Sequence, residues 1–505
     1  MARVFDVAII GGGTGGCAAA MAASSFGLRI LLAERCAWVG GQLTSQAVPP
    51  DEHRWIEWFG STERYRDFRR RIRAAYRARS GYRNGGVYDN PGGGWVSRLC
   101  FEPRLGWQTL LEMLRGVEIW TGCCPAEAAV ASGRMEGVRL AFEDGREEWV
   151  EAKVFLDATE EGDLFPLADV PYVTGAESRA QTGEPHALEG DPLPGRNQGI
   201  TWCAALEWDP DGDHTVPAPP QYDYWRNRKP ENWPLPLLSL QMLKAHAGEI
   251  VDFPLFARHP GEWFNLFSYR QIVDPERWDH PVRAATIVNW PQNDYYDAPT
   301  LDQPAGVRER NLDSARQLTL SLIHWLQTEH GFRGLRLRPD LTGTPDGLAQ
   351  FPYIRESRRL KARFTLTENH VAAACRPGAD RGEEFSDGVC IGAYPVDLHP
   401  STDGGPTLDL RSLPFQIPYG CLLPQNLGNL LAAAKNIGVT HISNGCTRLH
   451  PVEWSIGEVA GTAAALSVCE DAPVEAFASG SRLRQLQDAL HRQGVETQWP
   501  SLGVL

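Results

Sequence analysis

The sequence predicts an α/β chain built on a doubly wound parallel sheet, with a further domain in its middle. Three observations predict it. Residues 4–20, VFDVAIIGGGTGGCAAA, pass from an apolar strand through a glycine cluster into a small-residue helix. A second strand and turn, AKVFLDATEEGD, stand at residues 152–163. A strand, a loop and an Ala/Gly-rich helix return at residues 429–466, beyond a long Trp- and Pro-rich middle.

A chain of 505 residues is long for one core, so several domains are expected. The formal charge of -14 argues against a nucleic-acid partner and against an anionic membrane surface. No run of about 18 apolar residues exists, so no membrane span is expected. No basic segment followed by a long apolar one opens the chain, so the cytoplasm is the expected location. The eleven cysteines are scattered and contain no C-x-x-C, which gives no support to a disulfide framework, a zinc site or a cysteine-held iron–sulfur cluster. Among the seventeen tryptophans, Trp202, Trp208, Trp225, Trp233, Trp263, Trp278, Trp290 and Trp325 crowd the middle. Such aromatic sequence suits a packed, irregular domain and not a disordered linker.

The first element reads as a strand buried on both faces, Val4–Ile10, followed at once by Gly11-x-Gly13-x-x-Gly16. Strand, glycine turn and helix is the context that a dinucleotide fingerprint requires. Its glycines permit the tight turn, the approach of a pyrophosphate and close helix–strand packing. The helix N-terminus then offers free N–H groups to phosphates. A second strand ends in Glu34, near the spacing expected of an acid on a ribose hydroxyl. Gly40-Gly41 follows, resembling the second glycine doublet of FAD-dependent enzymes of the glutathione-reductase type. Residues 63–83 read as a basic helix whose buried face carries Tyr65, Phe68, Ile72 and Tyr76. Its nine arginines read as a solvated face or as a dock for an acidic partner. Residues 135–152 read as a hairpin turning at Asp144-Gly145.

Asp157-Ala158-Thr159 resembles the strand-ending ATG motif of the same superfamily, with Glu160 in place of the glycine. The last element is a strand at 430–434, a loop, and a helix over 455–466 whose start faces the flavin ring in relatives. Gly457 and Gly461 permit close approach there. The C-terminal SRLRQLQDALHRQGV reads as a packing helix stopped by Gly494.

With these elements, the chain resembles the bacterial FAD-dependent oxidoreductase family, related to the flavoprotein part of heterodisulfide reductase and to fumarate reductase-like flavoproteins. GGQLTSQAVPPDEH (40–53), GWVSRLCFEPR (94–104), NWPQNDYYD (289–297), PYIRESRRL (352–360), YPVDLH (394–399) and RLHPVEWSIGEVAG (448–461) carry the resemblance. It implies a discontinuous Rossmann-like FAD-binding domain of the glutathione-reductase type with an inserted α+β cap. The expected divisions are 1–175, with a basic helical insertion at about 58–90, then 176–414 for the cap, 415–470 for the second FAD-binding part, and a C-terminal helix in 471–505. The expected cofactor contacts are Gly11, Gly13, Thr14, Gly15, Gly16, Glu34, Arg35, Gly40, Gly41, Gln42, Ala158, Thr159, Asn436 and Gly457.

Chemistry at a flavin needs a held substrate and often a group that moves a proton. Arg355 and Arg358 read as a carboxylate clamp or pyrophosphate contact, or as members of an ion-pair network with Glu356. Asp397 and His399 share a face on a strand, so His399 reads as an Asp-oriented base or a structural hydrogen-bonding group. His450, with Arg448 and Glu453, falls in the loop expected beside the flavin, as a substrate-facing residue or a loop support. Gln46 and His53 approach from another side, and His53 is a candidate for covalent flavin attachment. The expected reaction is hydride transfer between a small organic substrate and FAD. The electron partner is left open among oxygen, a quinone, a carrier protein and free nicotinamide. The rival readings are an electron-transfer component of a heterodisulfide reductase-like complex and a non-enzymatic FAD-binding protein.

Overall fold

The computed structural model describes residues 3–231, 234–244, 249–257 and 265–500. Its first sheet starts with β1 (Arg3–Ile10), whose last four residues are buried. Helix α1 (Thr14–Ser24) follows, then β2 (Ile30–Glu34). Helix α2 (Glu63–Arg77) is capped by the Thr62 hydroxyl, which accepts from the Tyr65 N–H. Strands β3 (Glu118–Thr121), β4 (Cys123–Ala131), β5 (Arg134–Phe142) and β6 (Glu147–Asp157) complete the N-terminal part. Strand β7 (Leu430–Ala432), helix α3 (His441–Thr447) and helix α4 (His450–Cys469) come from the far end of the chain.

β1 lies at the centre. β2 pairs with it in parallel on one side and β6 on the other, with β3 parallel beyond β2. β6 is shared along its length. Its first half pairs antiparallel with β5, and its last three residues pair parallel with β7. The side chain of Asn429 bonds the Met135 N–H and C=O, each at 2.8 Å, where β7 takes over from β5. Ile10, Ala33, Asp157 and Ala432 therefore end at one edge. That edge, at the C-terminal ends of the parallel strands, is where open parallel sheets bind ligands.

Helix α1 is buried from Thr14 to Ala23, and α4 from His450 to Ser467, because the two lie against each other. A Cβ on Gly457 would stand 2.0 Å from the Gly15 carbonyl oxygen, and one on Gly461 2.2 Å from that of Ala19. These glycines serve backbone contact between helices. Gly461→Ala is therefore expected to lower stability by about 1–3 kcal/mol through overpacking. Urea unfolding followed by far-UV circular dichroism measures it.

The middle of the chain has its own apolar core. The strands Gln271–Val273, Ala285–Val288, Ala204–Trp208 and Leu335–Leu337 form an antiparallel sheet in that order. The helix Ala305–Thr328 packs on it. Trp202, Trp225, Trp290 and Trp325 are buried in this core, so packing accounts for these four. Trp233 and Trp263 lie outside the described residues.

Several elements differ from the sequence reading. α4 begins at His450 and not at Ser455, because Pro451 suits a first helical turn, where its missing N–H costs nothing. α2 ends at Arg77, and its arginines are not uniformly solvated. Arg69 pairs with Glu52 and Glu57, and Arg73 with Glu57, all with buried side chains. Arg64 reaches Glu458 on α4 at 2.8 Å. The hairpin turns at Asp144-Gly145, where Gly145 has φ +84°. Among the described residues no helix is long and apolar enough to cross a membrane.

Candidate cofactor and reaction site

The glycine turn joins the C-terminal end of β1 to the start of α1. Gly11 has φ +101°, and a Cβ there would lie 2.1 Å from the Ala158 carbonyl oxygen. Glycine alone fits. No side chain caps α1 and no acid stands in its first turn, so its N-terminus is suited to an anion. Neighbouring N–H groups already face carboxylates of the chain. Gly12 donates to Glu34 at 2.6 Å, Cys36 donates to the other Glu34 oxygen at 2.8 Å, and Gly15 approaches Glu453 at 3.4 Å. Burial raises the Glu34 pKa.

The second doublet folds onto this turn. Gly40 donates its N–H to Gly12 at 2.7 Å, and the Thr14 hydroxyl donates to the Gly40 carbonyl at 3.0 Å. Cβ atoms on Gly13 or Gly41 would each come within 2.5 Å of the Glu160 carboxylate. The two glycines thus bound a narrow cradle that any side chain would fill. These observations fit residues Gly11–Gly16 and Gly40–Gln42 as the holders of a dinucleotide pyrophosphate, with Glu34 at the end of β2 for a ribose.

The turn after β6 closes the cradle. Asp157 holds it by accepting from the Thr159 N–H at 3.0 Å, the Thr159 hydroxyl at 2.7 Å and the Leu164 N–H at 2.9 Å. Burial drives the Asp157 carboxyl up to about 7. Glu160, which stands in place of the usual glycine, pairs with buried Lys435. Lys435 lies 3.8 Å from Glu453, whose own carboxyl burial pushes up to about 7. Gln42 joins the group, donating to Glu453 and, at 3.1 Å, to the Arg448 carbonyl. One Gln42 oxygen and one Glu160 oxygen stay buried without a partner.

Three expected cofactor contacts have structural partners in the chain. Arg35 pairs with Asp163 at 2.9 Å and Glu161 at 3.5 Å, and lies over Phe351. The Asn436 amide bridges the Asp157 carbonyl and the Ala434 N–H, tying β6 to the loop after β7. Gly457 faces α1, as described above.

Beyond Gln42 lies a second constellation. His450 is the first residue of α4, and its Nδ1 accepts the Asp51 N–H at 3.0 Å. The ring proton therefore sits on Nε2, which is buried and has no partner. Burial, then Arg270, hold the His450 pKa well below the usual imidazole value, while the Val48 backbone opposes them. His450 is a neutral donor. Arg270 lies 3.7 Å from Asp51, and two of its nitrogens have no hydrogen-bond partner. Arg448 donates to the Tyr353 hydroxyl at 2.6 Å and to the Asp397 side chain at 3.3 Å. Asp397 lies 3.4 Å from His399 Nε2. His399 Nδ1 meets Asp294 at 2.6 Å, and Asp294 accepts from Arg355 at 2.9 Å.

The electrostatics follow from this chain of charges. Burial pushes Asp397 up, but His399 and Arg448 outweigh it and hold the carboxyl well below the usual range. Asp294 is likewise lowered, with Arg355 and His399 overcoming burial. Burial and Arg355 push His399 down; Asp294 and Asp397 outweigh them and raise it above its ordinary value. Two carboxylates thus face the His399 ring, Asp397 among them. The side chains of His399 and Asp397, 23% and 37% exposed, are the accessible part of an otherwise buried group.

His450, His399 and Arg355 belong to one group of side chains, linked through Asp51 and Asp294. Arg358 is elsewhere. It pairs with Asp302 at 2.8 Å and Asp163 at 3.1 Å, in the network that holds Arg35 and Arg308. Nor is Glu356 the partner of Arg355; it pairs with Arg359 and His441. His53 does not offer a free nitrogen for a flavin link, since Nε2 meets the Gly60 carbonyl and Nδ1 accepts the Trp55 N–H. Arg270, Asp294, Asp51 and Lys435 do not stand out in the sequence as site residues. Asp294 lies within one of the resemblance segments, NWPQNDYYD, while Arg270 has no motif to mark it.

A family model described as "FAD dependent oxidoreductase" matches residues 6–490. No curated protein matches the chain. Among solved structures, the anhydrotetracycline hydroxylase OxyS from Streptomyces rimosus is 12% identical, with 97% of this chain and 69% of that chain covered at a TM-score of 0.36. A geranylgeranyl bacteriochlorophyll reductase-like protein from Thermoplasma acidophilum is 10% identical, with 98% and 85% covered at 0.33. L-proline dehydrogenase from P. horikoshii is 17% identical, with 31% and 23% covered at 0.19. The match thus spans about a quarter of that dehydrogenase. At these scores the structural likenesses carry no argument about substrate. The family model spans nearly the whole chain and includes both the glycine cradle and α4: the chain belongs to the FAD dependent oxidoreductase family, an enzyme family whose cofactor is FAD.

Proposed function

We propose that the protein moves a hydride between a small organic molecule and FAD, at the constellation headed by His450. One observation carries this reading. Gln42 of the glycine cradle donates to the Arg448 carbonyl, so the cradle and the charged constellation are contiguous. FAD, when bound, supplies the hydride acceptor or donor. The chain's residues do the rest. His450 Nε2–H donates to an oxygen or other acceptor atom of the substrate. Arg270 and Arg448 orient it, and Tyr353 and Asp397 fix Arg448. His399, half-buried between Asp294 and Asp397, stands at the accessible side.

On this reading residues 176–414 form a cap over a glutathione-reductase-type FAD domain built from 1–175 and 415–470, with the C-terminal helix in 471–505. The single dinucleotide fingerprint leaves the electron partner among oxygen, a quinone, a carrier protein and free nicotinamide. The proposed location is the cytoplasm.

Anaerobic bleaching of the flavin across a panel of small alcohols, acids, amines and sugars tests the proposal. With the compound that bleaches, His450→Asn is expected to slow flavin reduction about 100-fold, the usual effect of losing one donor to a reacting atom. Its FAD content should match the wild type. An unchanged rate, or a panel with no bleaching compound, counts against the assignment.

A further inference from the structure

A cavity lies on the far side of the strand Val396–Leu398 from the constellation. Asp397 and His399 take part in the constellation, while Leu398 between them lines the cavity. The same alternation separates Arg355, bound to Asp294, from Glu356, bound to the cavity residue His441. The cavity is therefore distinct from the reaction site. Its volume is about 250 Å³. That is just below the roughly 300–1,000 Å³ of pockets for drug-sized ligands, and suits something smaller. Leu188, Leu398, Leu408 and Ile442 make much of its wall apolar.

Most charged groups of the wall are already paired. Glu177 meets Arg359 at 2.6 Å, His186 meets Glu368 at 2.5 Å, and His441 meets Glu356 at 2.9 Å. Two are not. Glu184 is fully buried; its Oε1 accepts from the Glu368 N–H at 2.7 Å and the Thr440 hydroxyl at 2.6 Å. Its Oε2 has no partner. Arg196 donates to the Asp403 carbonyl at 3.1 Å, and its Nε is buried with no partner. Among the described residues neither is ion-paired, with each other or with any other group. Burial lifts the Glu184 carboxyl to about 7.

We propose that this cavity binds a small zwitterion with an apolar body, of the chemical class of the apolar α-amino acids. The ammonium group meets Glu184 Oε2, the carboxylate meets Arg196 Nε, and the side chain lies among the leucines and Ile442. A buried carboxylate oxygen and a buried guanidinium N–H without partners, on two residues that line one cavity, call for a ligand bearing both opposite charges.

Isothermal titration of the FAD-loaded, full-length protein tests this, with L-leucine as the probe. The comparison compounds are 4-methylpentanoate, which lacks the amine, and 3-methylbutylamine, which lacks the carboxylate. Saturable binding of leucine is expected, with each truncated compound weaker by about tenfold or more, the loss of one charge-assisted hydrogen bond. Glu184→Gln should erase the preference for leucine over 4-methylpentanoate. Arg196→Gln should erase the preference over 3-methylbutylamine. Leu188→Trp, which fills the cavity, should abolish binding. Any of these results overturns the proposal: no saturable binding of leucine, valine, phenylalanine or proline; equal binding of the truncated compounds to the wild type; or leucine binding that survives Leu188→Trp. Bleaching of the flavin by leucine also overturns it, because the probe then sits at the reaction site. The comparison of compounds on the wild type stands even where a variant fails to fold.

Discussion

Gly11→Ala is expected to give a protein without FAD. The added Cβ falls 2.1 Å from the Ala158 carbonyl oxygen, on a backbone at φ +101° that L side chains rarely adopt. The turn after β1 and the turn after β6 would have to separate, and together they form the cradle. A flavin absorbance spectrum of the purified variant, with far-UV circular dichroism as the check on folding, reads the result. Gly27→Ala is the matched control. Gly27 also has positive φ, at +74°, but nothing lies within 4 Å of its missing Cβ. It should keep its FAD at a modest cost in stability. A Gly11→Ala protein carrying a full complement of flavin would show that the turn is not the cradle.

Asp294→Asn is expected to be the most destabilising change in the constellation. The buried carboxylate faces two cations, Arg355 at 2.9 Å and His399 at 2.6 Å. Removing one partner of a buried pair costs about 3–5 kcal/mol, since the other charge is left uncompensated. The loss depends on pH in a direction set by both shifts. Asp294 is lowered in the folded state, so its contribution is full above the unfolded value near 3.9 and fades as pH falls through its native value. His399 is raised, so its contribution is full below the unfolded value near 6.5 and fades as pH rises through its native value. The stability gap between wild type and variant should therefore be widest between about pH 4 and 6.5, and should narrow on both sides. Urea unfolding at a series of pH values measures it. In the variant the His399 titration, followed by NMR, should also move to lower pH. A gap that is flat with pH would mean that His399 is not linked to Asp294.

The parts of the protein legible in the sequence are those whose geometry is local. The glycine turn is set by residues within six positions of Gly11, and Glu34 follows by one strand and one helix. The reaction site is not local. The placement of Asp397 and His399 on one strand face is readable from their spacing, yet the closer partner of His399 is Asp294, more than a hundred positions earlier. Within PYIRESRRL the arginines look alike in sequence. The extended chain sends Arg355 to Asp294, Arg358 to Asp163 and Asp302, and Arg359 to Glu177. Only the tertiary positions of those acids separate the roles. Glu160 stands out in the sequence as a departure from the expected motif, but its meaning depends on Lys435, which reaches it from the loop after β7. The start of α4 is hidden because Pro451 reads equally well as a loop residue and as part of a first helical turn.

The division of β6 between two partners has a consequence for synthesis. Its last three residues wait for Leu430–Ala432, and α1 waits for α4 to cover it. Until the last quarter of the chain has left the ribosome, the strand end beside Asp157 and one side of α1 stay open. The whole middle of the chain must form or be held aside before they close. The nascent chain thus passes through a long interval with an exposed parallel edge and an apolar helix face, the kind of intermediate that chaperones shield. A chain stopped short of Leu430 would stay in that state.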